Sequence, residues 1–158
     1  MIRTRNVTGK AADLVYTVSE QRLPDGQFRT LAIEGPIRFV PGRLDHSGGY
    51  RSPFDHHGHL IPDQFGGPGD AESGNIVAMH GHPNNGAGGQ YRGMEIAVRK
   101  LLGDRSAWMR VEVGYQGPTE IRPHVFDVQV RFSNGMHSRW KIFNFYPHLP
   151  NPYQPARG

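Results

Sequence analysis

A chain of 158 residues and 17.7 kDa has the length of a single domain, and no stretch of it reaches the roughly 20 apolar residues of a membrane span. It contains no cysteine, which excludes disulfide scaffolds, thiol catalysis and Cys-held zinc or iron–sulfur centres. The net charge of +4 comes mostly from arginine, whose planar fork of donors suits phosphate oxygens, so a polyanionic partner and a generic basic surface are both open readings.

With 21 glycines and 13 prolines, many turns, short strands and long loops are expected. Residues 14–18 (Leu-Val-Tyr-Thr-Val) read as the first strand. Pro24, Asp25 and Gly26 mark a turn, and residues 31–40 carry further strand material interrupted at Gly35 and Pro36. Residues 41–53, rich in Gly, Pro, Asp and Ser, read as a loop. His59, Leu60 and Ile61 form a short apolar run that ends in a chain reversal across residues 65–69, and residues 75–79 read as a short strand or extended segment.

The spacing predicts one helix from about Tyr91 to Leu102, with Met94, Ala97, Val98, Leu101 and Leu102 as one apolar stripe and Gly103 as its stop. Three strands are expected after it, at residues 108–115, 126–132 and 140–145, the last two joined by a tight turn at Asn134 and Gly135. Residues 146–158, with four prolines, are expected to be extended. Strands, one central helix and a final meander make an α+β domain, read as one unit over residues 1–158.

Of nine histidines, five fall between His56 and His82, so the chemistry is concentrated there. The run Asp55-His56-His57-Gly58-His59 is followed by Asn75, His80, His82, Asn84 and Asn85, then by Tyr91, Arg92, Met94 and Glu95. Together these supply a general base, neutral oxygen ligands and a carboxylate, an inventory that suits phosphodiester hydrolysis with one hard divalent cation. A phosphodiester is anionic and repels hydroxide, so the attacking water must lose its proton in place, and a neutral histidine does this near neutral pH. Plainer roles compete. Asn84 and Asn85 lie in a Pro-Asn-Asn-Gly run that is good turn chemistry, Glu95 can pair with Arg92 or Arg99 along a helix, and the histidine cluster can hold zinc. The glycines at 66, 67 and 69 lack the Gly-Lys-Ser/Thr that a phosphate-binding P-loop requires.

Five pieces in order, Gly58-His59-Leu60-Ile61, Phe65-Gly66-Gly67, Asn75-Ile76-Val77, Asn84-Asn85 and Tyr91-Arg92-Gly93-Met94-Glu95, resemble the DNA/RNA non-specific endonucleases of the ββα-metal (His-Me finger) superfamily, in particular its bacterial toxin-domain branch. The resemblance implies a ββα-metal core with a central helix and an antiparallel meander. It implies His59 as the general base, Asn84 as a ligand of magnesium (or manganese) with Asn85 as the alternative, and Glu95 holding metal-bound waters. Arg99, one turn beyond Glu95, is implied at the scissile phosphate. Where many relatives carry Asp-Arg-Gly-His or Asp-Gly-Gly-His, this chain has His56 and His57 before Gly58, and the phosphate-facing Arg of some relatives is missing. Arg51 or Arg92 is then the candidate replacement, with His57 on the substrate side. The substrate implied is DNA, and RNA as well. The resemblance further implies a toxic domain of a larger secreted protein, active in the cytoplasm of a target cell and neutralised by an immunity protein, with no membrane role. The alternative is a non-catalytic nucleic-acid-binding or His-rich zinc-binding module.

Overall fold

The computed structural model describes residues 1–41, 55–81 and 86–145. Strands form where alternate residues are apolar, because successive side chains of an extended chain point to opposite faces. In β2 (Val15–Arg22), Tyr16 and Val18 are buried between outward-facing neighbours, and β6 (Ser106–Gly114) buries Ala107, Met109, Val111 and Val113 in the same way. With β1 (Ile2–Thr8), β3 (Phe28–Arg38), β7 (Val125–Phe132) and β8 (His137–Phe143) they build a six-stranded sheet in the order β1-β2-β3-β6-β7-β8. Every neighbouring pair in it is antiparallel. The final meander has the expected order, with Gly135 at φ +89° in the turn, although β8 runs from His137 to Phe143 rather than over residues 140–145.

Three expectations are corrected. The chain opens with β1, a strand that alternates Arg with Thr, Asn and Val, carries little apolar signal, and is held through its pairing with β2. Gly35 and Pro36 do not interrupt β3; they sit in register opposite Met109 and Trp108 of β6. A side chain at Gly35 would start 2.5 Å from the Tyr16 ring, so the glycine is there for close packing. The helix α1 (Ala87–Leu102) begins four residues earlier than expected and buries Tyr91, Met94, Val98 and Leu102, while Leu101 is 44% exposed. The buried stripe therefore runs through Tyr91 rather than through Leu101.

Between the sheet's first three strands and its last three the chain makes a separate antiparallel hairpin, β4 (Asp55–His59) with β5 (Ile76–His80), and then enters α1. The helix packs against β5 and β8, with the Tyr91 ring edge-on to Phe126 of β7 at 5.6 Å. Leu60, Ile61, Phe65 and Met79 join Met94, Val98 and Leu102 and the inward face of the large sheet in one core.

Asn144, just past β8, locks the hairpin in place. It accepts from His80 N–H at 2.8 Å and donates to the carbonyls of Ala78 at 3.0 Å and Pro123 at 2.8 Å. Arg122 adds a two-pronged ion pair to Asp55, at 2.6 and 2.9 Å. Among the described residues no helix is long and apolar enough to cross a membrane. The loop read at residues 41–53 and the tail at 146–158 lie, apart from residue 41, outside the described residues.

Candidate active site

His59 is the last residue of β4, and the segment that leaves it is fixed by a buried amide. Asn75 is fully buried and spends its side chain on the backbone: Oδ1 accepts from Ile61 N–H at 2.7 Å, and Nδ2 donates to the carbonyls of Ile61 at 2.9 Å and Pro68 at 3.0 Å. Leu60 and Ile61 are themselves fully buried, so backbone and side chains hold His59 from one side. A 3₁₀ turn at Asp63–Phe65 follows, capped by Gly66 at φ +102°. A Cβ on Gly67 would lie 1.9 Å from the carbonyl oxygen of Ile61, so the Phe-Gly-Gly run is a steric requirement of this loop.

Two contacts bring α1 against this segment. The Tyr91 hydroxyl donates to the Leu60 carbonyl at 3.1 Å; burial pushes its phenol well above the usual range, so it stays a neutral donor. One turn further along, Glu95 accepts a hydrogen bond from Gln64 Nε2, so a half-buried carboxylate is aimed at the loop that follows His59. Nε2 of His59 is buried and lies close to Gly69, as does the ammonium group of Lys10: a Cβ at Gly69 would lie 3.5 Å from the one and 3.0 Å from the other.

The other sequence candidates are placed differently. Asn75, counted in the sequence with the oxygen ligands, has its amide engaged with the backbone and acts as a clip. Alternation along β4 sends His56 and His57 to opposite faces. His56 packs against the first turn of α1, where a Cβ on Gly88 would meet its ring at 2.6 Å. Burial pushes its pKa below the ordinary value, against the pull of Asp55 and with help from His57 and His80. His57 is exposed, as is Arg92. Arg99 lies over the Phe39 ring at 3.8 Å and donates to the Gly103 carbonyl at 3.3 Å, closing the helix end. Arg51, His82, Asn84 and Asn85 lie outside the described residues. Among the described residues, no three His, Asp or Glu side chains converge as a metal cage, so the His-rich zinc site receives no support from them.

Sequence reasoning missed Lys10, Gln64 and Arg122. Each reaches its partner through the fold: Lys10 from the β1–β2 loop, Gln64 across to the helix, Arg122 across 67 positions to Asp55. No local motif announces them.

The sequence profile of the DNA/RNA non-specific endonucleases matches residues 43–134, more than half of the chain, and this span contains β4, β5 and α1. The chain belongs to that family. Solved structures of NucA from Streptococcus agalactiae, one with no metal bound and one with magnesium bound, share its fold with TM-scores of 0.56 and 0.54. Each is 13% identical in sequence, over 90% of this chain and 83% of NucA. Among curated proteins none matches the chain. Family membership makes this a nuclease fold whose substrate is nucleic acid, with His59 and Glu95 both inside the matched span.

Proposed function

We propose that this chain is a metal-dependent endonuclease that hydrolyses phosphodiester bonds of DNA, and of RNA, with little sequence preference, and that β4, β5 and α1 form its ββα-metal core. The observation that carries the reading is the pairing of a strand-end imidazole with a helix carboxylate across one short loop: His59 leaves β4 into the 3₁₀ turn, and Gln64 of that turn holds Glu95. His59 takes a proton from water as the oxygen attacks phosphorus and the bond to the leaving oxygen breaks. The Asn75 clip keeps the histidine from swinging away as it becomes charged, because movement of this segment would break hydrogen bonds to both Ile61 and Pro68.

The donor set suits a hard cation that retains most of its water and needs few protein atoms. Glu95 would supply a half-buried carboxylate, and Asn84 or Asn85, just before α1 in sequence, would supply a neutral amide oxygen; magnesium, or manganese, is the ion this donor chemistry fits. Such an ion, when bound, stabilises negative charge on the phosphate and the leaving oxygen. His57 and Arg92, both exposed, join Arg51 and Arg99 in the substrate-side set proposed from the sequence. Likeness to the toxin branch supports a toxic role within a larger secreted protein, acting in a target cell's cytoplasm and held in check by an immunity protein. Co-purification of a cognate inhibitor from the producing cell tests that part separately.

The deciding experiment is plasmid and RNA cleavage with magnesium, with EDTA, and by His59→Ala. Magnesium-dependent cleavage that falls by about 10²–10⁴ in the variant is expected. Cleavage surviving in His59→Ala moves the base elsewhere. No cleavage of either nucleic acid by the wild-type chain makes it a binding module instead.

A further inference from the structure

Lys10 lies outside the span matched by the family, in the loop between β1 and β2, yet the fold carries it to His59. The two loops dock backbone to backbone: Lys10 N–H donates to the Gly66 carbonyl at 2.8 Å, and a Cβ on Gly9 would lie 2.2 Å from that same oxygen. The side chain is then steadied by Asp63 Oδ1 at 3.2 Å. Asp63 and Gln64 are neighbours in the 3₁₀ turn, so one turn holds Lys10 by one residue and Glu95 by the next.

Gly69 marks how near the Lys10 and His59 side-chain ends lie to one backbone position. Its φ is not positive, so the backbone places no demand for glycine there. A Cβ there would lie 3.0 Å from Lys10 Nζ and 3.5 Å from His59 Nε2, so both side-chain ends lie close to Gly69, which is itself exposed. An ammonium group has three donors. Asp63 engages the group from one side, and its side chain is about a quarter exposed, at 23%. Of the arginines that sequence reading sends to the phosphate, Arg92 is exposed and Arg99 is stacked on Phe39.

We propose that Lys10 is a substrate-binding residue of the His59 site, its ammonium group engaging a non-bridging oxygen of the scissile phosphate beside Gly69. The catalytic part of this assignment rests on the nuclease reading; the phosphate contact is measurable without it. Binding of a labelled duplex by the His59→Ala chain is measured in EDTA across a salt series, with and without Lys10→Ala. Lys10→Ala is expected to weaken binding at least threefold at low salt and to flatten the dependence of log affinity on log salt by about 0.9, the release from one phosphate. Lys10→Arg keeps the slope. In the chain with His59 intact, Lys10→Ala lowers kcat/KM at least tenfold, and Gly69→Ala, whose Cβ crowds Lys10 Nζ and His59 Nε2, also lowers it.

Asp63→Asn separates a phosphate contact from a merely structural ion pair, since it frees Lys10 without removing the ammonium group. Binding and slope retained in Asp63→Asn support the proposal. The same loss in Asp63→Asn as in Lys10→Ala, or an unchanged slope in Lys10→Ala, overturns it. A wild-type chain whose binding slope depends on Lys10 but which cleaves neither DNA nor RNA overturns the nuclease reading and supports the phosphate contact.

Discussion

Glu95 illustrates how one residue's setting defines its test. Its carboxylate accepts from Gln64 Nε2, and the amide of Glu95→Gln keeps an oxygen to accept the same bond. The substitution therefore removes charge without removing the contact that places the side chain. Glu95→Gln is expected to lower cleavage about 10–100-fold and to raise the magnesium concentration needed for half-maximal rate, with little change in the unfolding midpoint. An unchanged magnesium requirement would restrict Glu95 to holding the loop. The histidine and this carboxylate were legible in the sequence because each sits in a short run whose neighbours are fixed by local needs: Gly67 by the Ile61 carbonyl, Tyr91 by the Leu60 carbonyl. Asn75 and Asp55 had the right chemistry for a ligand set, yet their partners are Ile61, Pro68 and Arg122. Composition gives no way to tell an amide spent on the backbone from one left for a cation.

At the scale of elements, the first strand is joined to the sheet by charge as well as by its ladder. Arg3 and Arg5 of β1 both donate to Glu20 of β2, at 3.0 and 2.7 Å, and Glu20 is only 5% exposed. Burial pushes the Glu20 carboxyl up, but hydrogen bonds from Arg5 and Arg3 outweigh it and hold the pKa below the ordinary 4.5. The folded state therefore favours the ionised form. The stabilisation is complete above pH 4.5 and is lost as pH falls through the lower native value. Glu20→Gln is expected to lower the unfolding midpoint at neutral pH, and the gap from wild type should close as the pH falls below 4.5 and through the lower native value. A gap that is constant with pH would locate the effect in packing. The same strand shows why part of the fold escaped sequence reading: β1 buries little, so its sequence lacks the alternation that exposed β6 and β7. The start of α1 escaped for a different reason, since Gly88 and Gly89 are poor helix formers, yet Gly88 lies inside the first turn and lets His56 approach it.

For the whole molecule, the net charge of +4 acquires meaning only once the fold and family are known. A family that cuts without regard to sequence has to bind what all nucleic acid shares, the phosphate backbone, and such contacts release counterions as they form. Many of the arginines are already committed: Arg3 and Arg5 to Glu20, Arg38 to Asp13, Arg110 to Glu34 and Glu112, Arg122 to Asp55, Arg139 to Asp127. The cations that bind substrate are therefore fewer than composition suggests, and the affinity should rest on a small set of phosphate contacts. Duplex binding by the His59→Ala chain is expected to fall linearly on a log–log salt plot with a slope of about −0.9 for each phosphate neutralised, and to differ little between unrelated duplexes of equal length. Fluorescence anisotropy on two such duplexes, from roughly 50 to 200 mM salt, measures both properties in one experiment. An affinity indifferent to salt would mean that base edges or shape, rather than phosphates, hold the substrate. A strong preference for one duplex with the slope intact would leave the backbone contacts in place and place a sequence-reading element elsewhere on the chain.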